Sequence, residues 1–505
     1  GQVSGHLAYE RGDLVSGTDL AVSAAELGLT ALPYQVKGDG GIGISVEPDD
    51  PTTLRMGIRF GALEALHLED GAPLFSGDGL EITATGTTRI LADEARESGQ
   101  GRLSLRIPSV RVQDLRVYQR YLPDRWGVDI KGGQGSLHGQ ADYSSADINA
   151  ALSLESDDAD LLIKGYRFRT NLDLGLKISG GVSESATVDV SGTHLRLYEA
   201  RLASAAGKSA KPWRAELSIE RGRIGVEVPE GAAEGAGFRR LSETLKERGL
   251  KSLLSTSDAR LEATLDVSDL GWINLLFRNP FELTVSGSGI VNADLQVRQG
   301  WLAEGTRLRA RPRGLRVQVL DYEAQGGGEV VMTVERGGEA PDMRLKTRLE
   351  DAWLRRRGEK DTFDEQVSLE VSALARGVAL KGGGSVGALD LRIPSARVRD
   401  MSVYNGYLPK DSPLRLLAGE ADLTADVHLE PDSAGGFVKL ETTGFRSLLD
   451  EQEVSGELAL HVNLRDGVPR DMAFDISGSS LMLEGFRVRG EQTSYDRPGW
   501  RARFD

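Results

Sequence analysis

Apolar and polar residues alternate along most of this chain in short runs. The run NLDLGLKI at 171–178 places leucine or isoleucine at every second position, with polar residues or glycine between them. A period of two is that of a β-strand with one apolar face and one face in water. Comparable runs, separated by glycine-containing turns such as 38–43, follow one another through the chain. The pattern predicts an all-β protein: a long antiparallel sheet, curled into a U-shaped groove with its apolar face inside.

One stretch of the chain occurs twice. Leu105–Pro123 reads LRIPSVRVQDLRVYQRYLP, and Leu391–Pro409, 286 positions later, reads LRIPSARVRDMSVYNGYLP, with 13 of 19 residues identical. Each copy alternates like a strand until a proline removes a backbone donor. Asp114 is a candidate N-cap for a short helical turn that carries Tyr118 and Tyr121 on one face. Each copy therefore predicts a strand followed by an aromatic helical plug.

The same spacing continues outside these two segments. We therefore interpret the chain as two copies of one β-groove repeat, at 1–202 and 289–505, with a joining segment at 203–288. The joining segment contains the one convincing helix, near 238–249. Its charged side chains predict that it lies against the groove opening or an edge and does not enter the sheet. A third phrase, DLGWINLLF at 269–277, resembles the two plugs in spacing.

The apolar positions of the alternating runs predict which residues line the interior of the sheet. Strand period two places charged residues such as Asp173 and Lys177 on the opposite face, in water. The interior set is Leu103, Leu105, Ile107, Leu172, Leu174, Leu176, Ile178, Val188, Val190, Leu195, Leu197, Leu389, Leu391, Ile393, Leu458, Leu460, Val462, Leu464, Phe474, Ile476, Leu481 and Leu483. The plug set is Tyr118, Tyr121, Trp272, Tyr404 and Tyr407. Periodicity alone leaves open whether the rows form a dry core or line a groove, and whether the tyrosines only pack or also touch a ligand.

Composition and charge exclude several classes of function. The chain has 61 basic and 76 acidic residues, a net charge of −15, which argues against binding to a nucleic-acid backbone. It has no cysteine, so disulfides and thiolate metal sites are excluded. No apolar run of about 18 residues predicts a membrane-spanning helix. Because the sequence starts in mid-pattern with Gly-Gln-Val, we interpret it as part of a longer protein.

Motifs typical of enzymes occur only where turns are predicted. GDGGIG at 38–43 fits the pattern GxGxxG, but a strand follows it where a dinucleotide site needs a helix. GGSVG at 383–387 fits GxSxG, but it leads into the alternating run at 389–393. The six histidines are scattered singly, without the spacing of metal ligands. We therefore predict no catalytic residue, no cofactor and no metal site, and we do not expect an enzyme.

The plug phrase also carries a resemblance to a known family. Asp-Leu-x-x-Tyr-x-x-Tyr-Leu-Pro, beginning at Asp114, is followed by glycine-punctuated strands at 132–137, and runs of the type Gly-x-Leu-x-Ala-x-Leu recur, as at 289–297. In these features the chain resembles the AsmA-like bridge-type lipid transfer superfamily of Gram-negative envelopes, the group of the TamB and YdbH type. The absence of long low-complexity stretches makes the YdbH type the nearer of the two.

This resemblance implies a function and a location. It implies a β-taco whose apolar trough carries phospholipid acyl chains through the periplasm, between the inner and outer membranes. It also implies an inner-membrane helix before this sequence and an outer-membrane protein or lipoprotein as partner at the other end. Intermembrane phospholipid transport is therefore the predicted function, with phospholipid as the ligand and no nucleic acid as partner.

The length of the apolar face fits that expectation. Soluble proteins rarely expose apolar patches larger than a few hundred Å², so a face that runs along dozens of strands must be covered by protein or by lipid. Two alternatives stay open. One is a periplasmic scaffold that assists outer-membrane protein assembly through its edge strands. The other is an extracellular β-solenoid adhesin, whose inward rows would form a dry core.

Overall fold

A computed structural model gives the fold of the chain. It describes residues 1–11, 13–31, 33–46, 53–87, 101–144, 147–163, 166–181, 187–202, 212–225, 251–252, 254–276, 280–358, 364–378, 384–408, 411–468, 473–490 and 494–504. Within them the protein is all-β, with one very large antiparallel sheet and a separate two-stranded ribbon. The predicted all-β fold is confirmed. The helix predicted near 238–249 lies outside the described residues.

The strands pair with the next strand in the sequence or, where short strands intervene, with one two or three places further along. Their bounds are β1 Gln2–His6, β2 Tyr9–Glu10, β3 Asp13–Leu14, β4 Asp19–Ala31, β5 Tyr34–Val46, β6 Thr53–His67, β7 Pro73–Asp78, β8 Glu81–Thr87, β9 Arg102–Val112, β10 Val128–Gly132, β11 Gly135–Ser144, β12 Asp147–Ile163, β13 Tyr166–Gly181, β14 Thr187–Asp189, β15 His194–Leu202 and β16 Trp213–Gly225. They continue with β17 Asp258–Val267, β18 Thr284–Arg298, β19 Trp301–Leu302, β20 Arg307–Ala310, β21 Arg313–Val319, β22 Tyr322–Arg336, β23 Asp342–Arg356, β24 Asp364–Arg376, β25 Ser385–Val398, β26 Leu414–Leu429, β27 Ala434–Leu449, β28 Gln452–Val468, β29 Ala473–Asp475, β30 Ser480–Arg489 and β31 Ser494–Arg503.

Helical structure is confined to short pieces. Three 3-10 helices, which we call plugs 1, 2 and 3, span Leu115–Tyr121, Leu270–Leu275 and Met401–Tyr407. A further 3-10 turn spans Asp124–Trp126, and residues 251–256 carry a short helical stretch. No helix among the described residues has the length and apolar character needed to cross a membrane.

The chain divides into two compact units. Unit 1 contains Gly1–Asp266 and Ala293–Ala303, and unit 2 contains Val267–Asn292 and Glu304–Asp505. The elements of unit 1 recur in unit 2 at the 286-residue offset of the sequence. Strands β12, β13 and β14 of unit 1 correspond to β27, β28 and β29 of unit 2 within one residue at each end, and plug 1 corresponds to plug 3. The repeated sequence therefore folds into repeated structure.

The strand register aligns apolar side chains across many strands in each unit. Because every second residue of a strand points to the same face, residues directly opposite one another form a ladder on one face of the sheet. The unit 1 ladder is Val22, Ile42, Ile58, Ile82 and Leu105, on β4, β5, β6, β8 and β9. The unit 2 ladder is Met332, Leu345, Ala373, Leu389 and Leu429, on β22 to β26. In both units these ladders define the apolar face, and the residues between them define the polar face.

Candidate functional site

The apolar face of unit 2 lines a half-open cavity of about 410 Å³. Its lining is almost entirely aliphatic and comes from every strand between β21 and β28. The lining residues are Val317, Val319, Leu320, Tyr322, Ala324, Leu354, Leu369, Leu391, Ile393, Tyr404, Leu423, Ala425, Val427, Leu429, Val438 and Leu464. A volume of this size is within the range of pockets that hold small molecules.

The cavity also shows that the sheet of unit 2 is curled. Seven inter-strand steps of about 4.8 Å would place β21 about 34 Å from β28 in a flat sheet. Val317 on β21 and Leu464 on β28 nevertheless line the same cavity. The two ends of this stretch of sheet must therefore bend toward each other, with the apolar face on the inside.

The apolar face of unit 1 carries the row predicted from the run at 171–178. Leu174 on β13 stands opposite Leu154 on β12 and Leu195 on β15, and Leu195 in turn stands opposite Leu217 on β16. These side chains are half-buried, so each leaves part of its surface accessible. Aliphatic side chains that stay accessible along a continuous row can take up further apolar groups.

The structure places the predicted interior residues at different depths. Half-buried are Leu105, Ile107, Leu172, Leu174, Leu176, Ile178, Val188, Leu195, Leu391, Leu458, Leu460, Val462, Leu464 and Leu481. Buried are Val190, Leu197, Leu389, Ile393 and Leu483. Leu103 and Ile476 are 44% and 43% exposed. The side chains of Phe474 and of the plug residue Tyr407 lie outside the described part of the structure.

Some of these residues are brought into common clusters. In unit 1, Ile107, Leu172 and Tyr118 pack around a core of Val110, Val112, Leu115, Leu137 and Ala159. In unit 2, Leu458, Leu460 and Tyr404 pack around a core of Val398, Met401, Leu416, Ala421, Leu440, Phe445, Val454 and Leu483. In both units a plug tyrosine therefore lies against the predicted interior row.

Each plug begins with the same cap. The side chains of Asp114, Asp269 and Asp400 accept hydrogen bonds from the backbone N–H two residues later, at 2.9, 2.8 and 2.9 Å. All three have extended backbones, as an N-cap requires. A hydrogen bond from Arg116 lowers the pKa of Asp114, which keeps the first cap ionised. The sequence predicted the first of these caps, and the structure shows all three.

Each plug is also fastened to the next strand by an amide side chain, which sequence reasoning missed. Asn405 accepts a hydrogen bond from Leu416 N–H at 2.7 Å and donates one to Leu416 C=O at 2.8 Å. Asn274 makes the same pair with Val285, both at 2.9 Å. In plug 1 the amide is Gln119, which accepts from Ile130 N–H and donates to Val128 C=O. The signal was present in the sequence, because an amide follows the capping aspartate by five positions in all three plugs.

Plug 1 is held against the strands of unit 1 by its tyrosines. The Tyr118 hydroxyl donates to Leu74 C=O on β7 at 3.4 Å, and burial raises the pKa of Tyr118 to about 12. Burial, together with a hydrogen bond to Tyr34, also raises the pKa of Tyr121. The two plug rings lie 6.2 Å apart. Both tyrosines therefore keep their hydroxyl protons over the physiological range and act as neutral groups.

An ion pair links plug 1 to the turn between β6 and β7. Arg120 Nη2 lies 2.7 Å from Asp70 Oδ2, in the turn between β6 and β7. The hydrogen bond from Arg120 lowers the pKa of Asp70. Plug 1 follows β9 directly, so this ion pair ties it to a turn that lies more than thirty residues before β9 in the sequence.

The plugs of unit 2 present their aromatic residues to apolar surroundings. Tyr404 of plug 3 lines the 410 Å³ cavity. In plug 2, Leu270 and Ile273 are buried, and the Nε1 atom of Trp272 is buried without a hydrogen-bond partner among the described residues. Of the plug residues, Tyr118 and Tyr404 pack against apolar clusters of their units.

The polar face is held together by ion pairs between neighbouring strands. In unit 1, Arg196 pairs with Asp173 at 3.1 Å and with Glu216 at 2.8 Å. This places Asp173 on the face opposite the leucine row, as strand period two requires. Asp173 is nevertheless a paired residue and only a quarter of its side chain is exposed, so it is not the free surface position that the sequence pattern alone indicates.

The cavity of unit 2 presents a concave apolar surface. The cavity lining contains only aliphatic side chains and the two tyrosines Tyr322 and Tyr404. Within the described ranges, no group of three histidine, aspartate or glutamate side chains is placed to hold a metal ion. What the apolar face can do is bind chains of methylene groups. No family model matches this sequence, and neither a characterised protein nor a solved structure shows significant similarity to it.

Proposed function

We propose that the chain binds phospholipid acyl chains on its apolar face and carries lipid between the two membranes of a Gram-negative envelope. The observation that carries this proposal is the aliphatic cavity of unit 2, about 410 Å³ in volume and lined by eight successive strands. The half-buried leucine row of unit 1 supports it, because it is a second apolar surface of the same construction.

Acyl chains suit such a surface for energetic reasons. Each methylene group removed from water contributes about 0.8 kcal/mol, without any directional contact. A lining of Val, Leu, Ile and Ala therefore holds a lipid tail without fixing it at one position. A tail bound in this way can move along the row at little cost, and movement of this kind needs no catalytic residue.

The proposal places the protein in the periplasm, without enzymatic activity of its own. In this proposal the inner membrane is reached through a helix before this sequence, and the outer membrane through a protein or lipoprotein beyond it. These partners rest on the family resemblance of the plug phrase and of the glycine-punctuated strands.

Mass spectrometry of organic extracts tests the binding step. Protein purified without detergent should release phospholipid in a fixed ratio to protein. Replacing both Val427 and Val438 by Trp fills the cavity that they line. This variant should release less phospholipid per protein molecule than the wild type. Folded wild-type protein that releases no phospholipid would contradict the proposal and favour a scaffold or a dry-cored adhesin.

Photo-crosslinking in cells tests which face touches lipid. A diazirine amino acid at 172, 174 or 176 should form phospholipid adducts, and the same residue at 171, on the polar face, should form few. Position 175 is unsuitable as a control, because a side chain there would collide with the His194 ring. Equal labelling on both faces would contradict the proposal.

A further inference from the structure

The polar face of unit 1 carries a cleft of about 350 Å³, on the side of the sheet away from the leucine row. Five side chains that can donate hydrogen bonds surround it, and small residues form its floor. The surrounding residues are Arg106, His138, Gln140, Lys177 and His194, and the floor contains Ala151, Ser153 and Gly175. The remaining lining residues are Ile107, Pro108, Gly139, Leu152 and Leu176, which adjoin these positions in the sequence. None of the residues that line it is acidic.

The strand register explains why these residues meet. Arg106 on β9 stands opposite Gln140 on β11, Gln140 opposite Ala151 on β12, and Ala151 opposite Lys177 on β13. Three strand spacings separate the arginine from the lysine, about 14 Å. Gln140 and Ala151 lie between them. The Lys177 side chain lies toward Gly192, where an added Cβ atom would be 3.4 Å from Lys177 Nζ, and it reaches the floor by rotation about its side-chain bonds.

A second ladder, two residues along each strand and therefore on the same face, completes the cleft. It runs His138, Ser153, Gly175 and His194, on β11, β12, β13 and β15. Gly175 is buried beneath the imidazole of His194, and a Cβ atom at Gly175 would lie 2.7 Å from His194 Nδ1. The glycine therefore allows the histidine ring to lie flat across the floor and to form one wall of the cleft.

The charge around the cleft is not neutralised by the protein. Arg106 and Lys177 form no ion pair within the described part of the chain, whereas Arg59, on the same face, pairs with Glu81 at 2.8 Å. Glu81 stands directly opposite Arg106 on the neighbouring strand β8, but its carboxylate is paired with Arg59. Asp173 lies 3.4 Å from His194, but it also pairs with Arg196 at 3.1 Å. Unpaired cations around a concave surface attract an anion, and this cleft occurs in a chain whose net charge is −15.

We propose that this cleft binds a phosphate group. A tetrahedral phosphate has several oxygens that accept hydrogen bonds from different directions, and guanidinium, ammonium, imidazole and amide donors surround the floor. The group can belong to a soluble phosphate compound or to the headgroup of a membrane lipid. Because the cleft and the leucine row lie on opposite faces, this inference does not depend on lipid binding in the groove.

The six histidines of the chain provide the measurement. Protein labelled with ¹³C at histidine Cε1 gives six signals, which single His→Asn variants assign. At constant ionic strength, added inorganic phosphate should shift the His138 and His194 signals saturably and leave the other four in place. Dihexanoyl phosphatidic acid, tested below its aggregation threshold, provides the lipid arm of the same titration.

Three variants make the result specific. Arg106→Gln and Lys177→Gln should each weaken binding roughly fivefold, as the loss of one exposed charge contact. Arg102→Gln is the matched control, because Arg102 is on the same strand and face, is exposed and lies outside the cleft. It should bind like the wild type. The four remaining histidine signals report that each variant is folded.

The outcomes separate the sources and the failure. Saturable shifts with inorganic phosphate support a soluble phosphate ligand, and shifts with the phosphatidic acid alone support a lipid headgroup. Shifts that do not saturate, that affect all six histidines, or that weaken equally in Arg102→Gln would overturn the proposal. A lipid headgroup bound in the cleft would add phospholipid to the organic extract, so the groove is tested separately, by the lipid lost when Val427 and Val438 are replaced by Trp.

Discussion

The two units use the same alternating pattern to build apolar faces of different depth. In unit 2 the ladder of Met332, Leu345, Ala373, Leu389 and Leu429 is buried throughout. In unit 1 the ladder of Val22, Ile42, Ile58, Ile82 and Leu105 is only half-buried. The contrast is sharpest at equivalent positions of the repeat, since Leu103 is 44% exposed and Leu389, 286 residues later, is fully buried.

Cross-strand neighbours account for part of this difference. Leu389 stands between Ala373 and Leu429, and its strand belongs to the curled stretch around the cavity. Leu103 stands between Ala84 and Tyr143. The two-residue period of a strand therefore decides which face of the sheet a side chain occupies. How deeply the side chain is buried depends on the residues that lie opposite it in the curled sheet. An alternating sequence can produce either a packed wall or an accessible one.

The largest effect is expected from truncating this equivalent pair. Leu389→Ala removes a fully buried side chain and should cost about 3 kcal/mol of stability, because a cavity is left behind. Leu103→Ala should cost about 0.5 kcal/mol, as surface substitutions do. Urea unfolding followed by circular dichroism measures both. Equal losses would show that the difference in depth between the two units is not real.

A second expected effect concerns the amide that fastens each plug. Asn405→Ala leaves both backbone groups of the buried Leu416 without their partner and should cost about 2 kcal/mol. Gln119→Ala in unit 1 should cost about 1 kcal/mol, because Ile130 is half-buried and water can replace the amide.

The control for the amide prediction is in the same plug. Gly406 is exposed and an added Cβ atom would meet nothing within 4 Å, so Gly406→Ala should leave the stability unchanged. The same urea experiment applies. If Asn405→Ala behaves like Gly406→Ala, the amide does not fasten the plug.

The third prediction concerns the buried tyrosine of unit 1. Tyr118→Phe removes a long hydrogen bond to Leu74 C=O and should cost about 0.5 kcal/mol at neutral pH. The pKa of Tyr118 is raised to about 12 from the usual 10, so the folded state keeps a proton that the unfolded state loses. The resulting stabilisation is complete below pH 10 and is lost as pH rises to about 12. Alkaline unfolding should therefore be less steep in Tyr118→Phe than in the wild type, and identical slopes would contradict the raised pKa.

The sequence predicted the parts of this fold that depend on local pattern. Alternation predicted the all-β fold, and the repeated phrase predicted a short helical turn after each strand and the cap at Asp114. It could not predict depth, because Leu103 and Leu389 have the same local pattern and differ only in their distant neighbours. It also missed the amides at Gln119, Asn274 and Asn405, since their partners lie on the next strand.

The polar face escaped prediction for the same reason. Asp173 looked like a free surface residue in its own strand, but Arg196 on β15 pairs with it. The cleft around Lys177 combines residues from β9, β11, β13 and β15, which lie up to 88 positions apart, from Arg106 to His194. Only the register of the sheet brings them together.

The smallest expected effect separates the polar faces of the two units. In unit 2, His428 Nδ1 lies 2.6 Å from Asp390 Oδ1, whereas the equivalent positions of unit 1 are Asp142 and Ser104, which cannot form this pair. The hydrogen bond to Asp390 raises the pKa of His428, with a further contribution from Glu430.

Stabilisation by the His428–Asp390 pair is therefore complete below the unfolded histidine pKa of about 6.5 and is lost as pH rises through the folded pKa. Because half of each side chain is exposed, solvent screening limits the effect to a few tenths of a kcal/mol. His428→Gln should reduce the difference in stability between about pH 5 and pH 8 by that amount, and Asp142→Asn in unit 1 should not change it. A ¹³C titration of the His428 signal provides the sharper measurement, and a pKa at or below 6.5 would contradict the pairing.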